Sequence, residues 1–244
     1  YREYTYNENL YVGQRYVDKY NKPYDYPFGF GLSYSTFDFS GLSLQMKEDG
    51  LIVVFKVKNT GKYNASVVPM VFLGFPLENY PAKVFKGFDK KFLAINEEYT
   101  FKIIVEPHDL SYYDVLKESF VRPSIGSYKV YVGENARDII LNGEVNAYPK
   151  ADDWNIEYEK AKQLISNYTL EEKMLLLYST ENMIGKCVGS IDANVEKNFP
   201  GICLQDGPAG VRFSRKAQSW QAAINTASTF NRTLMYEIGE AQGK

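Results

Sequence analysis

Histidine is almost missing from this chain of 244 residues: His108 stands alone. One imidazole makes neither a catalytic triad nor a typical zinc site without acidic or thiol partners beside it. His108 lies in Pro107-His-Asp109, a turn-forming stretch where surface packing is its simplest role. Cysteine is limited to Cys187 and Cys203, so a Cys-x-x-Cys redox motif and a thiolate zinc cluster are both excluded. Phosphate-cradling glycine loops are missing. An excess of basic charge is missing too: the net charge is -2, whereas nucleic-acid binding calls for a concentrated basic surface. No apolar run approaches the roughly 20 residues that span a bilayer. The opening Tyr1-Arg-Glu-Tyr4 lacks the pattern of a signal peptide, so any targeting sequence lies upstream or has been removed.

What is abundant is aromatic: 21 Tyr and 15 Phe. Tyrosine favours strands and also suits sugar sites, with an apolar face and a polar tip. From Ser33 to about Tyr148 short alternating segments follow one another. Leu51, Val53, Phe55 and Val57 share one face of a strand over Leu51–Lys58, and Asn59-Thr-Gly61 turns the chain. Further strands are expected at Leu42–Lys47, Val67–Phe75, Val84–Asp89, Tyr99–Val105, Tyr128–Val132 and Arg137–Leu141, with Pro69 pushing its strand toward an edge or bulge. About seven strands suit an immunoglobulin-like sandwich.

A linker over Asn142–Pro149 then leads to helical signals. Asp152 or Asp153 can cap a helix from Trp154, with Trp154, Tyr158, Ala161 and Ile165 on one stripe. Thr169-Leu-Glu-Glu172 is a capping-box pattern opening a helix through Leu177. Ile202–Leu204 reads as a strand, and Thr233–Gln242 as a helix. Sequons for N-glycosylation occur at Asn64, Asn167 and Asn231. The two cysteines are free thiols in a reducing compartment or a disulfide in a secreted chain.

The stretch Phe199-Pro-Gly-Ile-Cys-Leu-Gln-Asp-Gly-Pro-Ala-Gly-Val-Arg212 closely resembles the first barrel-strand motif of family 3 glycoside hydrolases, the β-glucosidase family. Thr169-Leu-Glu-Glu-Lys173 is similar to the way those barrels begin. The strand-rich part resembles the family's fibronectin type III-like domain, through Tyr11-Val-Gly-Gln-Arg-Tyr16, Tyr26-Pro-Phe-Gly-Phe-Gly-Leu-Ser-Tyr-Ser-Thr-Phe37, Asn59-Thr-Gly61, Lys86-Gly-Phe88, Asp109-Leu-Ser-Tyr-Tyr113 and Tyr131-Val-Gly133. One departure is Phe230 within Thr226-Ala-Ser-Thr-Phe-Asn231, where the family commonly has tryptophan.

The resemblance implies a mainly β fold: an immunoglobulin/fibronectin type III-like β-sandwich followed by a mostly helical segment matching the first part of a (β/α)8 barrel. Residues 1–32 would be the tail of an α/β sandwich domain and a linker, 33–148 the fibronectin-like sandwich, and 149–244 the amino-terminal part of the barrel. That order is circularly permuted relative to most of the family, or is a junction of tandem enzymes, or belongs to an excised module. Asp206 would accept hydrogen bonds from sugar hydroxyls, with Arg212 close by. Cys187 and Cys203 would form a disulfide bracing that loop, in a secreted protein. The family's nucleophile and acid/base match no residue here, so no catalytic residue is named, and no metal or cofactor is implied. The parent activity would be hydrolysis of terminal β-linked glucose from cello-oligosaccharides, with this chain inactive alone. Expected partners are the β-glucoside and the remaining family 3 domains. The other expectation is a non-catalytic protein- or carbohydrate-binding module with a cellulosome-type partner in an extracellular cellulose-degrading complex.

Overall fold

A computed structural model of the chain describes residue 5 and residues 7–148, 154–177, 189–204, 207 and 219–243. It divides into two compact units, Tyr1–Asn155 and Ile156–Lys244. The first contains a short helix α1 (Gln14–Lys19) and strands β1 (Phe37–Lys47), β2 (Gly50–Asn59), β3 (Ala65–Val67), β4 (Met70–Gly74), β5 (Val84–Phe88), β6 (Lys91–Leu93), β7 (Glu98–Val105), β8 (Tyr112–Asp114), β9 (Ser119–Val121), β10 (Ser127–Gly133) and β11 (Ile139–Asn146). The order β1-β2-β7 makes one sheet and β11-β10-β4-β5 the other. All pairings are antiparallel, the three-plus-four arrangement of an immunoglobulin-like sandwich.

The core follows from the period-two pattern. Leu51, Val53, Phe55 and Val57 are fully buried, and Phe55 stacks between Phe39 at 6.2 Å and Phe101 at 5.5 Å. Val71, Leu73, Tyr128, Val130 and Val132 of the second sheet join the same cluster. Strand β4 is buried along its whole length, which alternation alone does not explain. Its other face is covered by the aromatic motif upstream of β1: Phe28 packs on Phe85 at 4.9 Å, and Phe85 meets Phe72 edge-on at 5.6 Å. Gly29 takes a φ of +87°, and a Cβ there would fall 2.5 Å from the Met70 sulfur. Glycine is therefore required both by the backbone and by the space.

Several strands differ from expectation. Val67–Phe75 is two strands: Pro69 lacks the N–H that a continuous ladder needs, so β3 pairs with β6 and β4 with β5 and β10. The expected linker at Asn142–Pro149 is strand as far as Asn146. Its Gly143 hid this, yet glycine fits there because a Cβ would lie 3.0 Å from Leu44 Cδ1. Arg137 and Asp138 belong to a turn, because Asn135 Oδ1 accepts from both of their backbone N–H groups at 2.9 Å. The short ribbons β3–β6 and β8–β9 are too brief to show a period.

Asn59 is a fully buried polar residue at the end of β2. Its Oδ1 accepts from Ser35 Oγ at 2.6 Å and from Gly61 N at 3.0 Å. Its Nδ2 donates to the carbonyls of Tyr63 at 2.8 Å and Leu93 at 3.1 Å. All four capacities of the amide thus join the segment before β1, the turn after β2 and the end of β6. Gly61 completes the fit, since a Cβ there would lie 2.1 Å from Ser35 Oγ.

Helix α2 (Trp154–Ile165) begins two residues before the second unit, which holds the rest of it with α3 (Leu170–Leu175), β12 (Gly189–Ile191), β13 (Ile202–Leu204), α4 (Ala223–Ala227) and α5 (Arg232–Gly243). The capping box forms as expected: Glu172 N donates to Thr169 Oγ1 at 3.2 Å, and Thr169 N to Glu172 Oε2 at 2.8 Å. The helix ends at Leu175, before the expected Leu177. The capping residues expected for α2, Asp152 and Asp153, lie outside the described residues. Among the described residues of this unit the buried hydrophobic side chain is Tyr168.

Asn59→Ala orphans four partners and is expected to lower sandwich stability by about 3 kcal/mol, read as a lower urea midpoint with an unchanged slope. Tyr128 is buried, donates to the Leu110 carbonyl, and has its phenol pKa raised chiefly by burial. The folded state therefore holds a proton that the unfolded chain releases above about pH 10. Stability is complete below that pH and falls as pH rises beyond it. Tyr128→Phe should cost about 1–2 kcal/mol at neutral pH and flatten the alkaline fall, both measurable by denaturant titration across pH 7–11.

Candidate functional site

The expected sugar-contacting residues Asp206 and Arg212 lie outside the described residues, as does Cys187. What the structure describes is the approach to them. β13 (Ile202–Leu204) pairs antiparallel with β12, placing Ser190 opposite Cys203 and Ile191 opposite Ile202. All three residues of β13 are exposed.

The hairpin loop between the two strands is held by local bonds. Asn194 and Phe199 exchange backbone hydrogen bonds at 2.9 Å, and Asn194 Oδ1 caps a short 3-10 turn by accepting from Lys197 N at 3.1 Å. Gly201 has a φ of +80°, and a Cβ there would sit 2.9 Å from the Ile191 carbonyl. The loop also reaches α3. Asn194 Nδ2 donates to Glu172 Oε1 at 3.3 Å, so the carboxylate that caps the helix also ties down the hairpin. Hydrogen bonds from Thr169 and Asn194 hold Glu172 below the usual carboxylate pKa, the Thr169 backbone bond contributing most. Lys197 Nζ donates to the Asn167 carbonyl at 2.7 Å. Sequence pattern found the capping box; the second bond of Glu172 depends on a loop 22 residues away and has no sequence signature.

In the first unit two surface clefts combine tyrosines with polar groups. One, of about 760 Å³, is lined by Asn7, Glu8, Tyr11, Gly13, Tyr16 and Tyr20 among others, with Lys19 Nζ 3.5 Å above the Tyr11 ring. Its helix α1 is fixed through Asp18, which accepts from Gln14 Nε2 at 3.3 Å and Tyr24 OH at 3.4 Å and pairs with Arg137 at 3.5 Å. The other cleft, of about 560 Å³, lies beside Asn64.

Carboxylates meet at the β10–β11 turn, where partial desolvation and the neighbouring Asp138 push the Glu134 pKa upward. Asp138 Oδ2 is occupied by the Asn135 amide at 2.6 Å, so the pair serves the turn. His108 packs edge-on against Phe120 at 4.9 Å. Among the described residues no group of three metal-ligating side chains occurs, and no helix is long and apolar enough to cross a membrane.

Comparison with known proteins gives a consistent pattern. Residues 67–136 match the model of the fibronectin type III-like domain. A probable β-glucosidase D of Aspergillus niger is 33% identical over 161 residues, covering 57% of this chain and 21% of that protein. A probable β-glucosidase E of Aspergillus clavatus is 43% identical over 91 residues, covering 37% and 9% respectively. Among solved structures, β-glucosidase 3B of Thermotoga neapolitana in complex with α-D-glucose superposes with a TM-score of 0.54 at 30% identity, covering 59% of this chain and 21% of that one. β-Glucosidase D2-BGL of Chaetomella raphigera gives a TM-score of 0.56 at 30% identity, covering 58% and 23%. The chain thus contains a fibronectin type III-like domain and is homologous to family 3 β-glucosidases. It spans about a fifth, or less, of the length of these curated relatives.

Thr169→Ala removes the α3 cap, and hydrogen exchange at the amides of Glu171–Lys173 should quicken about fivefold, the equivalent of one cap. Because the Glu172 pKa is lowered in the folded state, protection of the same amides should be complete above the ordinary carboxylate pKa of about 4.3. It should be lost as pH falls through the depressed value.

Proposed function

We propose that this chain is a segment of a retaining β-glucosidase-type glycoside hydrolase that removes terminal β-linked glucose from cello-oligosaccharides. The observation that carries the reading is the conjunction of β-glucosidase homology at 33% and 43% identity with the Phe199–Arg212 motif in the same chain. Within that enzyme the fibronectin-like sandwich braces the catalytic domains, and residues 149–244 begin the barrel, in permuted order. Residues 1–32 finish an α/β sandwich domain.

Asp206 supplies a carboxylate that accepts hydrogen bonds from sugar hydroxyls, and Arg212 adds a fixed positive charge beside it. Charge-assisted bonds of this kind orient a sugar strongly once water is excluded. A disulfide between Cys187 and Cys203 fixes the loop leading to Asp206, in keeping with a secreted chain. Retention requires two carboxyl groups about 5–5.5 Å apart, one attacking the anomeric carbon while the other protonates the leaving oxygen. In this reading both come from segments other than these 244 residues, so the chain by itself performs no hydrolysis.

A second reading draws support from the exposed tyrosines of the first unit, Tyr26, Tyr34, Tyr63 and Tyr113. It makes the chain a non-catalytic module that binds protein or carbohydrate in an extracellular cellulose-degrading complex.

The test is hydrolysis of an aryl β-glucoside by the purified chain and by a longer protein carrying the flanking segments. No turnover by the first is expected, and turnover by the second that falls about 10²–10³-fold in Asp206→Ala. Hydrolysis by the 244-residue chain, unaffected by Asp206→Ala, would overturn the assignment. Partner binding with no turnover from either protein would select the second reading.

A further inference from the structure

The cleft beside Asn64 has an unusual lining: Leu32, Ser33, Tyr34, Tyr63, Asn64, Ala65 and Ser66. Three of these form the sequon Asn64-Ala-Ser66, so the acceptor amide is itself part of the cavity wall. Tyr34 is 92% exposed and Tyr63 59% exposed, and their rings meet edge-on at 6.3 Å. The frame around them is hydrogen-bonded. Asn59 Nδ2 holds the Tyr63 carbonyl at 2.8 Å, and Thr60 N donates to the Thr36 carbonyl at 2.9 Å. Ser35 N donates to Ser33 Oγ at 3.2 Å and Ser35 Oγ to Asn59 at 2.6 Å. Asn64 Oδ1 accepts from Ile95 N at 3.0 Å, which fixes the plane of the amide and leaves Nδ2 without a hydrogen bond among the described residues.

We infer that Asn64 carries an N-glycan whose first N-acetylglucosamine seats in this cleft against Tyr34 and Tyr63. The inference rests on the secreted reading above. Transfer joins Asn64 Nδ2 to the sugar C1; the C1–oxygen bond to a lipid diphosphate donor breaks, the diphosphate leaves, and Nδ2 gives up a proton. All three sequons are open to that step on the unfolded chain. What distinguishes Asn64 is what the folded chain offers the sugar. The C–H face and acetyl methyl of the first residue meet two aromatic rings that otherwise face water. The hydroxyls of Ser33 and Ser66, which line the same cleft, are within the wall to meet its polar edge. Asn231 Oδ1 accepts a backbone N–H as Asn64 Oδ1 does, from Leu234 N at 3.2 Å at the start of α5. The Asn167 sequon contains buried Tyr168 and the cap hydroxyl of Thr169.

The experiment uses the full chain, secreted from a yeast in an Asn167→Gln, Asn231→Gln background, so that Asn64 is the remaining sequon. Peptide mass spectrometry should find Asn64 modified. An endoglycosidase that leaves one sugar should keep the thermal midpoint, whereas an amidase that removes all of it should lower the midpoint by roughly 4 °C. In a Tyr34→Ser, Tyr63→Ser variant the two treatments should give the same midpoint, which also controls for the aspartate that the amidase leaves. An unmodified Asn64 overturns the inference, and so does a midpoint indifferent to the last sugar, or a drop that persists without the tyrosines. Hydrolytic activity does not enter the readout, so an inactive chain leaves this result to stand by itself.

Discussion

The amide of Asn59 is the constraint on which the ordered end of the sandwich depends. It is fully buried, where an unsatisfied polar group costs on the order of 1–3 kcal/mol. It escapes that cost only because a hydroxyl, a backbone N–H and two carbonyls converge on it. Those groups come from the segment before β1, the turn after β2 and the end of strand β6. The requirement runs both ways: the loops must close for the amide to be satisfied, and the amide must be present for the loops to close. No apolar side chain could replace it, because the same site needs donors on one side and an acceptor on the other. The cleft beside Asn64 inherits its shape from this arrangement.

Around that polar knot the sandwich is built from aromatics in layers. Phe39, Phe55 and Phe101 stack through the first sheet's inner face, while Phe75 and Tyr128 meet edge-on at 5.3 Å from the second. Outside the second sheet, Phe28 and Phe85 cover β4. Aromatic strands therefore do more here than satisfy strand propensity. They let a short upstream segment without strand structure of its own be anchored by ring contacts and by the backbone bond from Ala136 N to the Phe28 carbonyl at 2.9 Å.

The second unit is held differently. Its described helices and strands leave Leu164, Leu175, Ile202, Leu204 and Ile224 exposed, and caps and hairpin bonds link its described residues. Glu172 concentrates several of these on one carboxylate. A strand of a closed barrel is covered on both faces, and the exposure of β13 stands in contrast to the buried β4.

Much of this was legible in the residues themselves. Alternation gave the inner faces of β2, β7 and β10, because a strand buried on one side repeats every two residues. Thr169 and Glu172 announced their capping box, because its bonds are local. The Phe199–Arg212 stretch carried a family resemblance in its residues alone, and its two expected sugar contacts, Asp206 and Arg212, stay at that level. Other features were decided only when the chain folded. Strand β11 runs through Asn142–Asn146 because its neighbour β10 and the leucines of β1 accept it. Asn59 looks like an ordinary turn residue until Ser35 and Leu93, distant in the chain, close around it, and Tyr34 and Asn64 become neighbours through the same closure. Local bonds are written in consecutive residues. Contacts between segments tens of residues apart exist only after the sheets have packed.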